Sequence, residues 1–173
     1  MVGRTETWIV RRIDTPLVGL ALAWDEAGRL VRIVLGGDLA RIAAFAERHG
    51  ARVRSGEGVV EHVERISRYL EGTPDPLDLP VRLFGTAFQQ AAWRALGRIP
   101  YGHTWTYGRQ AAEIGRPTAV RAVGAANAAN PLPLVLPCHR VVAAGGRLGG
   151  FAAGTDLKAR LLALEGVGRP SPG

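Results

Sequence analysis

The run Thr73-Pro74-Asp75-Pro76-Leu77-Asp78-Leu79-Pro80 constrains the fold of this 173-residue chain more than any other segment. Its prolines fix φ and lack an amide proton, so no helix continues through it. It reads as a connector, with a boundary near residue 80. The charge divides at the same place. Residues 1–80 carry 11 basic and 12 acidic side chains, a net of −1; residues 81–173 carry 11 basic and 3 acidic, a net of +8, and the two sum to the chain's +7. Two lobes are expected, 1–80 and 81–173, and a hydrophobic content of 47% supplies a core for them.

In the first lobe, Thr7 to Ile13 and Leu17 to Trp24 are rich in β-branched and apolar residues, and Leu20, Leu22 and Trp24 alternate as in a half-buried strand. Asp25-Glu26-Ala27-Gly28 turns into a third strand, Leu30 to Leu35, completing an antiparallel meander. Asp38 caps a helix whose Leu39, Ile42, Ala43 and Ala46 share a face. Val59, Val63, Ile66 and Leu70 mark a second helix that ends near Gly72.

In the second lobe, Thr86 and Gln89 form a capping box ahead of an apolar face of Phe88, Ala91, Ala92, Ala95 and Leu96. A short helix over Tyr107 to Ile114 ends at Gly115, and Pro117 is placed to open another, giving a helix-turn-helix outline. Ala119, Ala122, Val123 and Ala126 are expected to face the core. Arg121 then stands outward among Thr118, Gly124, Ala125 and Ala128, one long cation on a nearly bald surface that lets a helix approach a partner closely. Leu157, Leu161 and Leu164 are the buried candidates of a last helix that ends at Glu165 and Gly166.

The only cysteine, Cys138, lies in Pro137-Cys138-His139-Arg140-Val141. A thiolate is a soft nucleophile, and a neighbouring imidazole or cation makes it available near neutral pH; the alternative is a small buried hydrophobe. Glu165, a carboxylate in a final helical turn, opposes the helix dipole unless it has a partner, and a hydrogen bond to His139 would fix the imidazole's tautomer. One cysteine excludes an internal disulfide and a multi-cysteine zinc site, and His49, His62, His103 and His139 are too scattered for metal-ligand spacing, so neither metal nor cofactor is expected. No apolar run reaches membrane-spanning length and the start lacks a signal-peptide core, so a cytoplasmic location and no membrane partner are expected. Arginine supplies 21 of the 22 basic residues, with Lys158 the sole lysine; cations that fork onto phosphate and gather in one lobe favour a nucleic-acid partner.

Residues 85–166 resemble the O6-alkylguanine-DNA alkyltransferase family, the methylated-DNA–protein-cysteine methyltransferases. The resemblance is carried by Gly85-Thr86-Ala87-Phe88-Gln89, Trp93, Ile99-Pro100-Tyr101-Gly102, Thr106-Tyr107-Gly108, Ala119-Val120-Arg121-Ala122-Val123-Gly124, Asn130-Pro131, Pro137-Cys138-His139-Arg140-Val141 and Leu161-Leu162-Ala163-Leu164-Glu165-Gly166. It implies an α+β protein. A small N-terminal antiparallel sheet with helices, ribonuclease H-like in the family, precedes a mostly helical C-terminal lobe with a winged-helix-like helix-turn-helix. It also implies a monomer that binds alkylated double-stranded DNA in the minor groove and flips the damaged guanine, since O6 cannot be reached in line inside the stack.

By the same resemblance Cys138 takes the alkyl group in a single, irreversible transfer, His139 is its base, Glu165 orients His139, and Arg121 fills the gap left by the flipped base. Tyr107 turns the phosphate and donates a proton, Asn130 braces the turn before the active-site strand, and carbonyls near Cys138 and Val141 read the guanine amino group. Pro137 and Arg140 belong to the motif around the thiol. The pocket loop departs from the family's Tyr-Ser/Ala-Gly-Gly: here it is Phe151-Ala152-Ala153-Gly154, with the Ala152 amide expected at O6. The alternative is a non-enzymatic lesion-binding protein of the alkyltransferase-like type, and the presence of Cys138 argues against it.

Overall fold

The computed structural model describes residues 5–168; residues 1–4 and 169–173, which the two-lobe reading includes, lie outside the described residues. The chain forms two units. One runs to Thr73 and includes Leu79–Leu83; the other comprises Pro74–Asp78 and the described chain from Phe84 onward.

In the first unit, β1 (Glu6–Ile13), β2 (Leu20–Trp24) and β3 (Leu30–Leu35) pair antiparallel in succession. Asp25 closes the β2–β3 turn by accepting from the amides of Ala27 and Arg29 at 3.1 and 2.9 Å, and Gly28 takes the left-handed φ of 75° that the turn needs. Asp38 caps α1 (Leu39–Arg48) by accepting from the Ala40 amide. The chain then forms β4 (Ala51–Ser55) and α2 (Val60–Leu70). β4 runs parallel to β1, so the sheet, in the order β3-β2-β1-β4, is mixed and not antiparallel as expected. The reason is the helical crossover: α1 carries the chain back before β4 starts, which gives a parallel strand where a hairpin would give an antiparallel one. All five residues of β2 are buried, Ala21 and Ala23 with the leucines, so this inner strand is covered on both faces where alternation suggested one. Trp24 Nε1 donates to His62 Nδ1 at 3.0 Å and so satisfies the indole in the core.

Leu79–Leu83 returns to this sheet. The Leu30 amide donates to the Pro80 carbonyl and the Arg82 amide to the Leu30 carbonyl, both at 2.9 Å. A proline lacks the donor but keeps the acceptor, so the connector both stops helices and pairs with β3.

In the second unit, Thr86 and Gln89 form the capping box of α3 (Ala87–Leu96). Trp105–Thr106 is a two-residue strand, β5, followed at once by α4 (Tyr107–Glu113). α5 is Val120–Ala128 and starts later than Pro117, because Pro117 and Thr118 stand in a turn closed by the Ala119 amide on the Arg116 carbonyl at 2.9 Å. The inner face of α5 is correspondingly Val123, Ala126 and Asn127, while Ala122 is exposed. Asn127 is tolerated inside because Gln110 of α4 matches it. The two amides exchange hydrogen bonds at 2.9 and 2.7 Å, and Gln110 Nε2 also reaches the Ala92 carbonyl at 3.0 Å. Trp93 Nε1 donates to the Ala126 carbonyl at 2.7 Å, which fixes α5 against α3. β6 (Val141–Val142) pairs parallel with β5, and α6 (Thr155–Leu164) ends the described fold. Leu161 is buried as expected; Leu157 and Leu164 are half-buried, and Lys158 and Leu162 take the inner positions.

The Gln110–Asn127 pair should behave as one unit. Gln110→Ala or Asn127→Ala alone leaves a buried amide unmatched and should destabilise by about 1–3 kcal/mol. The double variant should lose less than the sum, as urea unfolding would show; strictly additive losses would mean that the two amides are not coupled.

Candidate active site

The chain leaves α5 through Asn130, whose side chain stands where a backbone partner would. Its Oδ1 accepts from the Leu132 amide at 2.9 Å and its Nδ2 donates to the Leu136 carbonyl at 2.7 Å. Leu134 within this turn has φ 77°, an uncommon conformation for a leucine, and such strain persists only where the surroundings hold it. The segment is buried throughout and delivers Cys138 on a single 3-10 turn, Cys138–Arg140, that runs directly into β6.

Cys138 retains 8% of its exposure. It shares a cavity of about 280 Å³ with Tyr107, Gly124, Asn127, Ala128, Gly150, Phe151 and Ala152. Burial raises the thiol's pKa above its usual 9.0; a hydrogen bond from Asn130, the charge of Lys158 and backbone amides act in the opposite direction and only reduce that rise. The resting group is therefore a thiol.

Behind the cavity lies a closed polar cluster. Glu165 accepts from Arg140 Nε at 2.9 Å and Nη2 at 2.9 Å, from His139 Nε2 at 2.8 Å and from the Gly102 amide at 3.1 Å. Arg140 also donates to the Ile99 carbonyl at 2.6 Å. Since Arg140 already neutralises the carboxylate, His139 need not be charged. Burial lowers its pKa below the ordinary 6.5 despite Glu165, so the ring is neutral near pH 7, with its proton on Nε2 and a lone pair on Nδ1.

Tyr107 begins α4, whose N-cap Thr106 accepts from the Arg109 amide at 3.1 Å. Its hydroxyl donates to the Gly150 carbonyl across a long 3.4 Å. Burial, then Cys138, raises its pKa and keeps the phenol protonated. Gly149 has φ +71°, and a Cβ there would stand 3.2 Å from the Tyr107 hydroxyl, so this loop position has both a conformational and a steric reason to be glycine.

The expected residues fall into three places. Tyr107, Gly124, Ala128, Cys138, Phe151 and Ala152 line the cavity. His139, Arg140 and Glu165 lie behind it, fully or almost fully buried, and Asn130, Pro137 and Val141 frame the strand. Arg121 is exposed with Thr118, Ala125 and Ala128 around α5, and Gly124 is half-buried. Asn127, Gly150 and Lys158 complete the site, and sequence reasoning does not single them out. Lys158 is fully buried; its Nζ donates to the Val141 carbonyl at 2.6 Å and the Gly150 carbonyl at 3.1 Å, and burial pulls its pKa down to about 8. The available sign was its helical spacing with Leu161 and Leu162, which put the one lysine of an arginine-rich chain on an apolar face. The Val141 carbonyl expected to read a base thus already holds one donor and keeps a second lone pair.

Among the described residues, no group of three or more His, Cys, Asp or Glu side chains is placed to hold a metal ion, and no helix is long and apolar enough to cross a membrane.

Residues 87–167 match the family model described as 6-O-methylguanine DNA methyltransferase, DNA binding domain. A methylated-DNA–protein-cysteine methyltransferase of Mycolicibacterium paratuberculosis is 50% identical over 103 residues, which is 60% of this chain and 62% of that relative, so this match spans less than two thirds of the relative's length. One from Methanosarcina acetivorans is 39% identical over 154 residues, covering 88% of this chain and 95% of the relative. Among solved structures, the Mycobacterium tuberculosis OGT in complex with DNA superposes with a TM-score of 0.75 at 36% identity, over 92% of each chain.

Two outcomes follow from the cluster and the thiol. Glu165→Ala strands the buried Arg140 and should destabilise the protein by about 3–5 kcal/mol in thermal or urea unfolding; a loss within experimental error would show the pair to be dispensable. Alkylation of Cys138 by iodoacetamide should climb with pH up to and past 9.0, the ordinary thiol value, because burial holds the thiol above it. A plateau reached near neutrality would reveal a preformed thiolate.

Proposed function

We propose, from the fact that this chain belongs to the methylated-DNA–protein-cysteine methyltransferase family, that it repairs DNA by direct reversal, with Cys138 accepting an alkyl group, chiefly methyl, from O6 of guanine. The observation that carries the assignment to Cys138 is a thiol on the wall of a small cavity with an oriented, neutral imidazole next to it in sequence.

The cavity's limited volume suits one flipped base. Cys138 sulfur attacks the alkyl carbon; the S–C bond forms as the C–O6 bond breaks, and the electron pair passes to the guanine. The thiol proton goes to Nδ1 of His139 through water. Tyr107, kept protonated by burial, gives its own proton to the departing base, and solvent returns the proton balance between the two residues. Glu165 holds the proton of His139 on Nε2 and thereby directs Nδ1 to the reaction. Because the substrate arrives already activated by its leaving group, a thiol released to thiolate only in the complex is sufficient. The product is a thioether with no ready leaving group, so each molecule acts once and no cofactor is required.

Lys158 fastens the Gly150 carbonyl to that of Val141 and so holds the pocket loop, with Phe151 and the Ala152 amide, over the base. The exposed, small-residue face of α5 supports approach to the minor groove, with Arg121 entering the stack in place of the flipped guanine and Thr118, Gly124, Ala125 and Ala128 leaving room for the backbone. Residues 81–173 then carry DNA binding and transfer and residues 1–80 are a structural lobe. The β1–β3 meander followed by α1 and a strand parallel to β1 supports a ribonuclease H-like reading of that lobe, and α4 and α5 beside the β5–β6 ribbon support a winged-helix-like one of the other. The protein acts as a monomer in the cytoplasm. A lesion binder without transfer would have no use for the thiol.

Incubation with an oligonucleotide containing O6-methylguanine should add one methyl to the peptide holding Cys138 and stop at one equivalent, as read by mass spectrometry; sustained turnover or a methyl on another residue would refute the mechanism. Arg121→Ala should slow repair of duplex DNA far more than reaction with the free alkylated base. Equal losses on both substrates would remove the intercalating role.

A further inference from the structure

The first unit carries a group of cations that alkyl transfer does not use. Arg41, Phe45 and Arg48 occupy positions i, i+4 and i+7 of α1 and share a face. Arg32 of β3 lies over the same aromatic ring, its guanidinium carbon 4.8 Å from the Phe45 centroid, and that of Arg48 stands 5.8 Å from it. Phe45 is buried and forms the floor. Arg41 and Arg48 are exposed above it, and Arg32 is half-buried, with Nε lacking a hydrogen-bond partner among the described residues.

Stacking on Phe45 and the place of Arg48 in the last turn of α1 favour two of these cations individually, but not their gathering. Burial and the nearby charges of Arg41 and Arg48 pull the Arg32 pKa down to about 10, a sign that the three cations repel one another. Arg41 also stands in the first turn of α1, where the helix dipole disfavours a positive charge. The acids at hand on this helix are Asp38, used to cap it, and Glu47, and among the described residues neither pairs with any of the three arginines. All this sits in a lobe whose net charge is otherwise not basic. An anion with several oxygens would relieve the repulsion, and guanidinium forks match phosphate geometry.

We propose that Arg32, Arg41 and Arg48 form a phosphate-binding surface of the first unit, whose ligand is the phosphodiester backbone of DNA. The inference rests on the reading of DNA as substrate and extends it, because it makes the N-terminal lobe a DNA-binding element as well as a scaffold. Double-stranded DNA offers phosphates in a continuous array, which is the ligand a shallow patch of three separated cations fits, whereas a single free phosphate would call for an enclosed site.

The test is the salt dependence of binding to a long, unmodified duplex by the full chain, wild type against Arg41→Gln/Arg48→Gln. Both side chains are exposed and outside the core's hydrogen bonds, so the variant is expected to fold, with a thermal midpoint close to that of the wild type. The slope of log K against log salt should flatten by about 1–2, roughly 0.9 for each phosphate that the variant no longer neutralises, while the rate with free O6-methylguanine base stays that of the wild type. An unchanged slope overturns the proposal. So does an equal loss of rate on the free base, which would mark a general defect. A variant with unaltered DNA binding but altered sedimentation of the protein alone also overturns it, in favour of an acidic surface on a second copy. The binding arm uses no lesion and reads no transfer, so it stands or falls separately from the chemistry at Cys138.

Discussion

The pairing of Arg140 with Glu165 is the interaction on which the second unit depends. One carboxylate, on the residue that caps the end of α6, draws together the 3-10 turn that bears the thiol and the turn at Gly102 ahead of β5 and α4. Arg140 extends the connection to the turn after α3 through the Ile99 carbonyl, and Tyr101 adds a hydrogen bond from its hydroxyl to the Leu164 carbonyl at 3.1 Å. Gly102 sits so close that a Cβ there would stand 3.1 Å from the Glu165 carbonyl, and its φ is +76°. Buried ion pairs stabilise little unless the remaining lone pairs and protons are satisfied. Here both carboxylate oxygens of Glu165 are engaged, and the imidazole held in the same cluster inherits its orientation.

That cluster also decides the charge state of the site. A carboxylate shared with a guanidinium is a good acceptor for a neutral N–H but a weak reason to protonate a buried ring, so the histidine stays neutral and usable as a base. The thiol in front of it is held protonated by burial, with Asn130 and Lys158 in place to favour the anion once a proton acceptor is engaged. Reactivity is thus kept low at rest. The arrangement suits a protein that has a single nucleophile to spend and must not lose it to other electrophiles.

Much of this is legible in the residues, and the exceptions have physical causes. Caps at Asp38 and Thr86, the β2–β3 turn and the sequence around Cys138 are local signals, and each appears where its chemistry requires. β4 leaves no such signal because Ala51-Arg52-Val53-Arg54-Ser55 is an edge strand with four exposed residues, so alternation does not mark it. The face of α5 reads as turned toward Ala122 because an asparagine passes for a surface residue until its partner is known; Gln110, seventeen positions earlier, is what buries Asn127. Lys158 is hidden for the same reason, since the carbonyls that hold it, Val141 and Gly150, are supplied by backbone that no side-chain pattern reports. Glu165 stands out because a carboxylate at a helix end is unfavourable without a partner.

The return of Leu79–Leu83 to the sheet has a consequence for the integrity of the first unit. β3 is the outer strand on its side, apolar at every position but Arg32, with an outer edge whose backbone groups are open to pairing with an extended chain. By occupying the amide and carbonyl of Leu30, the segment beyond the proline run shields one end of that margin from recruitment into intermolecular β-structure. A fragment cut at Thr73 would bare it, so a soluble N-terminal lobe has to extend through Leu83, past the prolines.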